Sequence, residues 1–78
     1  MITVRYFAGA AEAAGVESEQ VAAATRAELR AALLARHDRL AGVLERCALL
    51  ADGVRLDDDA APVPAGATVD VLPPFAGG

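Results

Sequence analysis

One segment of this 78-residue chain has the pattern of a full helix, and the rest of the fold has to be arranged around it. Thr25–Glu28 has the composition of a capping box, with a hydroxyl at the N-cap and a carboxylate three residues later. The predicted helix runs to about His37. Leu29 and Leu33 lie one turn apart on the same side of this helix, so they should pack against a sheet.

Segments near both ends of the chain have the alternation of a half-buried strand. In Met1–Phe7 every second side chain is apolar, and Phe7 itself falls among the polar positions. In Thr68–Leu72 the side chains of Val69 and Val71 point inward. Both segments have the composition of well-buried strands, so we expect them to be neighbours in the middle of a mixed sheet.

Shorter elements are predicted between these segments. Gly15 follows an alanine-rich run at a position typical of a helix end. Asp52-Gly53 lies between two strand-like runs and favours a type I′ hairpin turn, because that turn needs positive φ at both residues. The predicted short elements are a helix at Ala8–Ala14, a strand at Gln20–Ala22, a helical segment at Leu40–Glu45, and strands at Cys47–Ala51 and Val54–Leu56.

This order of elements predicts the fold class. A strand hairpin, one main helix and three further strands packed against that helix give a two-layer α+β domain with a sheet of about five strands. At this length the chain should form one domain. We expect the domain to span 1–72 and an extended tail to span 73–78.

The charge and amino-acid usage exclude several classes of protein. The formal net charge is −4, whereas binding to nucleic acid or to an anionic membrane needs a basic surface. The apolar runs are far shorter than the roughly 20 residues of a membrane-spanning helix. The single cysteine allows no internal disulfide, so we expect a cytoplasmic protein. The basic residues are all arginine, so no side-chain amine can accept an acyl group.

No set of side chains in the sequence has the spacing of a catalytic or metal site. Cys47 could carry a persulfide or a thioester, but a small buried hydrophobe is the simpler interpretation. His37 lacks ligand-type partners at suitable spacing and is interpreted as a helix-end residue. Asp57–Asp59 is interpreted as a solvated loop, with a docking patch for a basic partner as the alternative. We therefore expect neither a bound cofactor nor an enzyme acting alone.

The last six residues, Pro73–Gly78, are an unusual end for a small domain. The two prolines favour an extended backbone, and the two glycines let the chain pass close to another surface. Six extended residues reach at most about 20 Å, enough to insert a carboxylate into a partner's cleft. That carboxylate is ionised at neutral pH and can attack the α-phosphate of ATP. We expect the chemistry to occur at Gly78, with Gly77 allowing the tail to enter a narrow channel.

A second group of residues is predicted to dock this tail. If the alternation holds, Phe7 and Leu72 both point to the face of the sheet that the helix leaves free. With Phe75 they would form an exposed apolar patch of the kind that marks an interface, with local burial as the alternative. The predicted partner-binding residues are Phe7, Leu72, Pro73, Pro74, Phe75 and Ala76.

The order of elements resembles the β-grasp, or ubiquitin-like, fold, and three stretches resemble the MoaD family, the small subunit of molybdopterin synthase. Val4–Ala8 leading into Ala11–Gly15 resembles the opening of that family. Thr25–His37 resembles its capped main helix. Val71–Gly78 resembles its C-terminal signature and is the most specific of the three stretches.

The resemblance implies a sulfur carrier of the MoaD/ThiS group. A MoeB-like enzyme would use ATP to adenylate the carboxylate of Gly78, and a sulfur donor would convert it to a thiocarboxylate. A MoaE-like large subunit would hold the pterin precursor that accepts the sulfur. Three alternatives stay open: a carrier for thiamine, cysteine, tRNA thiolation or a secondary metabolite; a ubiquitin-like modifier attached to target lysines; and a plain interaction domain with an incidental Gly-Gly end.

Overall fold

The computed structural model describes residues 1–74, which form a five-stranded sheet with one long helix on one face. The predictions for Phe75, Ala76, Gly77 and Gly78 lie outside the described residues. Two short 3₁₀ helices, Asp38–Gly42 and Leu44–Arg46, form the segment predicted to be helical before the third strand. The other elements are β1 (Ile2–Tyr6), α1 (Gly9–Ala14), β2 (Ser18–Val21), α2 (Arg26–Arg36), β3 (Ala48–Ala51), β4 (Val54–Arg55) and β5 (Thr68–Leu72).

The first and last strands form the centre of the sheet, as predicted. The strand order is β2-β1-β5-β3-β4, with β1 and β5 parallel and the other neighbours antiparallel. The register places Arg5 beside Asp70 and Tyr6 beside Val71. A mixed sheet of five strands packed on one main helix confirms the predicted α+β, β-grasp architecture.

The main helix begins and ends close to the predicted residues. The Thr25 hydroxyl accepts a hydrogen bond from the backbone N–H of Glu28 at 3.2 Å. The Glu28 carboxylate accepts one from the backbone N–H of Ala24 at 2.9 Å, one residue before the N-cap. Leu29 and Leu33 are fully buried, so the helix packs on the sheet along the predicted side. With 11 residues, α2 is the longest helix in residues 1–74, and none there could span a bilayer.

Two turns confirm the glycine-based predictions. Gly15 ends α1 in the left-handed region, with φ of +76°. Asp52 and Gly53 both have positive φ, as the type I′ interpretation requires. Asp52 is also fixed by its neighbours, because its carboxylate accepts a hydrogen bond from the N–H of Thr68 at 3.0 Å. The turn is therefore tied to the start of β5.

The helix divides the sheet into two faces of different character. We call the face under α2 the covered face and the opposite one the open face. The buried side chains of the covered face are those of Ile2, Val4, Tyr6, Val21, Leu49, Ala51, Val69 and Val71. The open face is half-buried or exposed and includes Thr3, Arg5, Ala48, Leu50, Asp70 and Leu72.

Candidate functional site at the root of the tail

The tail leaves the sheet at the edge where the two central strands end. Because β1 and β5 are parallel, their carboxyl ends meet at this edge. The Phe7 N–H donates to the Val71 carbonyl at 3.2 Å, which continues the pairing one residue beyond β1. Phe7 therefore lies beside Leu72, and both belong to the open face, as the alternation predicts. Phe7 is 36% exposed, so the ring is neither fully covered nor fully in solvent.

The two prolines explain why the sheet ends at Leu72. Proline has no backbone N–H and cannot donate to a strand ladder. Pro73 is half-buried and Pro74 is exposed, so the chain moves away from the domain over these two residues. The division between a domain at 1–72 and a tail at 73–78 stays a prediction, because only the first two residues of that tail are among the described residues.

The open face changes from apolar to polar with distance from the tail. Next to the tail lie Phe7 and Leu72. In the middle row, the Arg5 guanidinium forms two hydrogen bonds to the Asp70 carboxylate, at 2.7 and 3.0 Å. The same guanidinium lies 5.8 Å from the centre of the Phe7 ring. At the far end, the predominantly polar row includes a hydrogen bond of 2.7 Å from the Gln20 amide to Thr3. The apolar end of this face is therefore the end next to the tail.

The backbone turns sharply at Ala8, directly after Phe7. Ala8 has φ +49° and ψ −126°, a conformation that favours glycine and costs an L-residue about 1–3 kcal/mol. The turn lets the carbonyls of Phe7 and Ala8 accept hydrogen bonds from Ala10 and Ala11. Phe7 is thereby held on the open face while α1 begins on the other side. The sequence gives no sign of this conformation, because an alanine-rich run normally predicts helix.

A cluster of side chains around the carboxylate of Glu19, which the sequence did not predict, joins β1, β2 and the end of α2. Glu19 accepts hydrogen bonds from the Tyr6 hydroxyl at 2.5 Å and from Arg36 at 3.0 Å. Its second contact with the helix end is to His37 Nε2, at 2.6 Å. We call Tyr6, Glu19, Arg36 and His37 the Glu19 cluster. His37 is the helix-end residue that was predicted, but the fold supplies a carboxylate partner that the sequence spacing did not indicate.

The ionisation of the Glu19 cluster follows from these contacts. Burial alone would raise the pKa of Glu19, but the hydrogen bonds from Tyr6, His37 and Arg36 outweigh burial and lower it. Burial, together with the hydrogen bond to this carboxylate, raises the pKa of Tyr6. At neutral pH the cluster therefore contains a carboxylate and a neutral phenol. Its contacts are internal, which indicates that it holds the sheet to α2.

The remaining candidates have structural explanations. Cys47 is buried, and burial raises the pKa of its thiol, as expected for an inert hydrophobe. Asp57–Asp59 is exposed as predicted, and two of its carboxylates form ion pairs. Asp57 pairs with Arg55 at 2.8 Å, and Asp59 pairs with Arg26 at 2.9 Å. Within residues 1–74 no three His, Cys, Asp or Glu side chains are grouped to hold a metal ion.

Solved structures with the same fold are similar over almost their whole length. SAMP1 from Haloferax volcanii superposes with a TM-score of 0.83 at 25% identity, over 99% of this chain and 98% of that one. A chain from the complex of subunits 1 and 2 of the molybdopterin-converting factor of Helicobacter pylori gives 0.75 at 28%, over 99% and 97%. The putative molybdopterin converting factor subunit 1 from Pyrococcus furiosus gives 0.83 at 21%, over 95% and 97%. At 21% identity this last similarity concerns the fold alone.

The sequence comparisons identify the family. No curated protein matches the chain. The sequence model of the ThiS family matches residues 4–78, which includes the domain and the whole tail. This match, together with the structures above, confirms the resemblance to ThiS/MoaD-like proteins with the ubiquitin-like fold. The chain therefore belongs to the ThiS family.

Proposed function

We propose that this chain is a sulfur carrier for molybdopterin synthesis, with the carboxylate of Gly78 as the reacting group. The observation that carries the proposal is the exit of the tail from the central strand β5 beside an apolar end of the open face. A rigid central strand fixes where the tail starts, and Pro73 and Pro74 favour an extended path from there. This preorganisation lowers the entropy lost when a partner binds the tail.

The chemistry proceeds in three steps. First, a carboxylate oxygen of Gly78 attacks the α-phosphorus of ATP, the bond between the α- and β-phosphates breaks, and pyrophosphate leaves. Second, a hydrosulfide-level nucleophile attacks the acyl carbon, AMP leaves, a proton is released and a thiocarboxylate forms. Third, the thiocarboxylate sulfur bonds to a carbon of the pterin precursor and displaces a leaving group there. Water then attacks the acyl carbon of the resulting thioester, the acyl C–S bond breaks, the sulfur stays on the pterin as a thiolate, and the carboxylate of Gly78 is restored with release of protons. The chain contributes the carboxylate, while its partners contribute positioning and charge stabilisation.

Two partners follow from this chemistry. A MoeB-like adenylating enzyme binds the ATP and receives sulfur from a donor, so neither group is a resident cofactor of this chain. A MoaE-like large subunit holds the acceptor. The Helicobacter pylori structure supports this second partner, because it is described as a protein–protein complex of subunits 1 and 2 of the molybdopterin-converting factor. We place these reactions in the cytoplasm, where ATP is available.

A second candidate function is that of a protein modifier. It is favoured by the 25% identity to SAMP1 of Haloferax volcanii over almost the whole chain, since SAMP1 stands for small archaeal modifier protein 1. In this case the activated carboxylate of Gly78 would form an amide bond with a lysine of a target protein. The chain has no lysine of its own, so chains linked through its lysines are excluded.

Intact-mass spectrometry tests the first proposal. The protein is incubated with the adenylating enzyme of its own organism, ATP and a sulfur donor. Exchange of one oxygen for sulfur adds about 16 Da, and the increase should be lost when Gly78 is deleted. A variant with one alanine added after Gly78 provides a matched control, since it keeps every residue and moves only the carboxylate.

The same experiment separates the two functions. An unchanged mass with an intact Gly78 and an enzyme that is active on another carrier contradicts the carrier proposal. A set of cellular conjugates that disappears on deletion of Gly78 favours the modifier. Sulfur incorporation into the variant with the added alanine, without its removal, would contradict the role of the Gly78 carboxylate.

A further inference from the structure

A hollow lies beside the root of the tail, on the side away from Phe7. It has a volume of about 400 Å³ and opens to solvent. Its apolar lining comes from Cys47, Ala48, Leu72 and Pro73. Arg46 adds a charged group to its wall. We call this the tail-root hollow. A partner that binds the tail next to Leu72 would lie close to the tail-root hollow.

Arg46 is electrostatically different from most arginines of this chain. Among residues 1–74, five of the seven arginines form ion pairs within 4 Å: Arg5, Arg26, Arg30, Arg36 and Arg55. In the same part of the chain Arg39 and Arg46 form none, and only Arg46 lines the tail-root hollow. The positive charge of Arg46 at the tail root is opposite in sign to the net charge of the chain, which is −4.

The neighbouring charges leave the Arg46 guanidinium available. Glu45 also lines the hollow, but its carboxylate is 3.3 Å from the guanidinium of Arg30 on α2. Arg55, which also lines the hollow, pairs with Asp57 at 2.8 Å. Arg46 thus places an exposed charged residue in a hollow that the apolar residues Leu72 and Pro73 also line. A carboxylate on a short apolar segment matches both features, because the charge pairs with the arginine and the segment covers Leu72 and Pro73.

We propose that the tail-root hollow binds an acidic side chain of the adenylating enzyme, with Arg46 as its ion-pair partner. This inference rests on the proposed function. The adenylating enzyme is the partner that must bind the chain while the tail still ends in a carboxylate. That carboxylate has to approach the negative charges of ATP, and an acidic chain is repelled from them. An attraction at the tail root offsets part of this repulsion and orients the tail.

ATP–pyrophosphate exchange at varied carrier concentration tests the proposal with a matched pair of variants. Arg46→Glu and Arg39→Glu change the net charge equally, but Arg39 lies on the 3₁₀ helix Asp38–Gly42 that packs against α1 and α2. We expect Arg46→Glu to raise the KM for the carrier about fivefold to tenfold with kcat unchanged, because a rim charge contributes to binding and encounter. Arg39→Glu should change the KM less than about twofold. Arg46→Lys should restore most of the wild-type KM.

Two further measurements are needed: the salt dependence of the KM and the thermal stability of each variant. The effect of Arg46→Glu should fall as salt is raised, since an exposed ion pair is screened. Thermal unfolding checks that each variant is folded. If Arg46→Glu is unstable, Arg46→Gln replaces it, and we expect about half of the increase in KM for that variant. Equal effects of Arg46→Glu and Arg39→Glu would overturn the proposal, and so would a defect confined to sulfur transfer after adenylation. Absence of exchange with the wild-type chain would instead contradict the proposed function itself.

Discussion

The two faces of the sheet differ in what their side chains do. On the covered face the side chains of Val4, Val69 and Val71 are fully buried. On the open face Arg5 and Asp70 pair in solvent, and Leu72 remains partly accessible beside the tail. Both faces are built from the same strands, so each strand contributes to the core with every second residue and to the surface with the others.

This contrast separates residues that hold the fold from residues that are free to serve a partner. Burial on the covered face removes apolar area from water and stabilises the domain. An apolar residue left on the open face contributes less to stability, and we propose that the apolar residues beside the tail serve binding instead. The two groups of residues can be distinguished by measuring the free energy of unfolding and the KM in adenylation on the same variants.

The largest loss of stability is expected when a leucine of α2 that packs on the covered face is truncated. Leu33→Ala should lower the free energy of unfolding by about 2–4 kcal/mol, because Leu33 is fully buried and leaves a cavity. Alanine favours helix, so the loss cannot be ascribed to helix propensity. Urea denaturation measures the change.

Leu72→Ala is the matched variant on the open face. The same side-chain truncation should cost less than about 1 kcal/mol there, since Leu72 is only partly buried. If the chain acts as proposed, Leu72→Ala should raise the KM in adenylation while Leu33→Ala leaves it unchanged at a temperature where both variants are folded. Equal losses of stability at both positions would show that the open face belongs to the core.

The next effect concerns the Glu19 cluster at the rim of the covered face. Glu19→Gln should lower the free energy of unfolding by about 1–2 kcal/mol near neutral pH, because it weakens hydrogen bonds to Tyr6, His37 and Arg36. The pKa of Glu19 is lowered in the folded state from its ordinary value of 4.5. Its stabilisation is therefore fully present above the unfolded-state pKa and is lost as the pH falls through the folded-state pKa.

Urea denaturation between neutral and acidic pH measures this dependence. The difference between wild type and Glu19→Gln should shrink as Glu19 becomes protonated in the acid range. Glu17→Gln, the same substitution at an exposed position two residues away, should change stability by less than about 0.5 kcal/mol. A difference between wild type and Glu19→Gln that stays constant down to about pH 2 would rule out titration of Glu19 as the cause.

Local patterns in the sequence predict most of the fold. The capping box at Thr25–Glu28, the Asp52-Gly53 turn and the alternation in Thr68–Leu72 each involve residues that are close together in the chain. Their physical causes are therefore visible in the sequence. The ThiS family model also matches the tail. Gly77 and Gly78 are recognisable there from the sequence, because glycine and a free carboxylate have a defined chemistry.

Contacts between distant residues could not be predicted in this way. Glu19 meets Arg36 and His37 only after β2 is placed beside the end of α2, 17 and 18 residues apart in sequence. A weak signal exists, since Glu19 pairs with the core-facing Val4 and an acid at such a position needs a partner. The absence of an ion pair at Arg46 within residues 1–74 was equally unpredictable, because it depends on which carboxylates reach the other arginines.

The smallest effect tests the turn that carries the chain from the open face into α1. Ala8→Gly should raise the free energy of unfolding by about 0.5–1 kcal/mol, because Ala8 has positive φ and glycine adopts that conformation without strain. Ala13→Gly, inside α1, should lower it by about 1 kcal/mol, since there glycine adds freedom to the unfolded chain and removes a partly buried methyl group. Opposite signs for one chemical change would show that alanine is strained at this turn. Destabilisation by both variants would mean that alanine meets no strain at this turn.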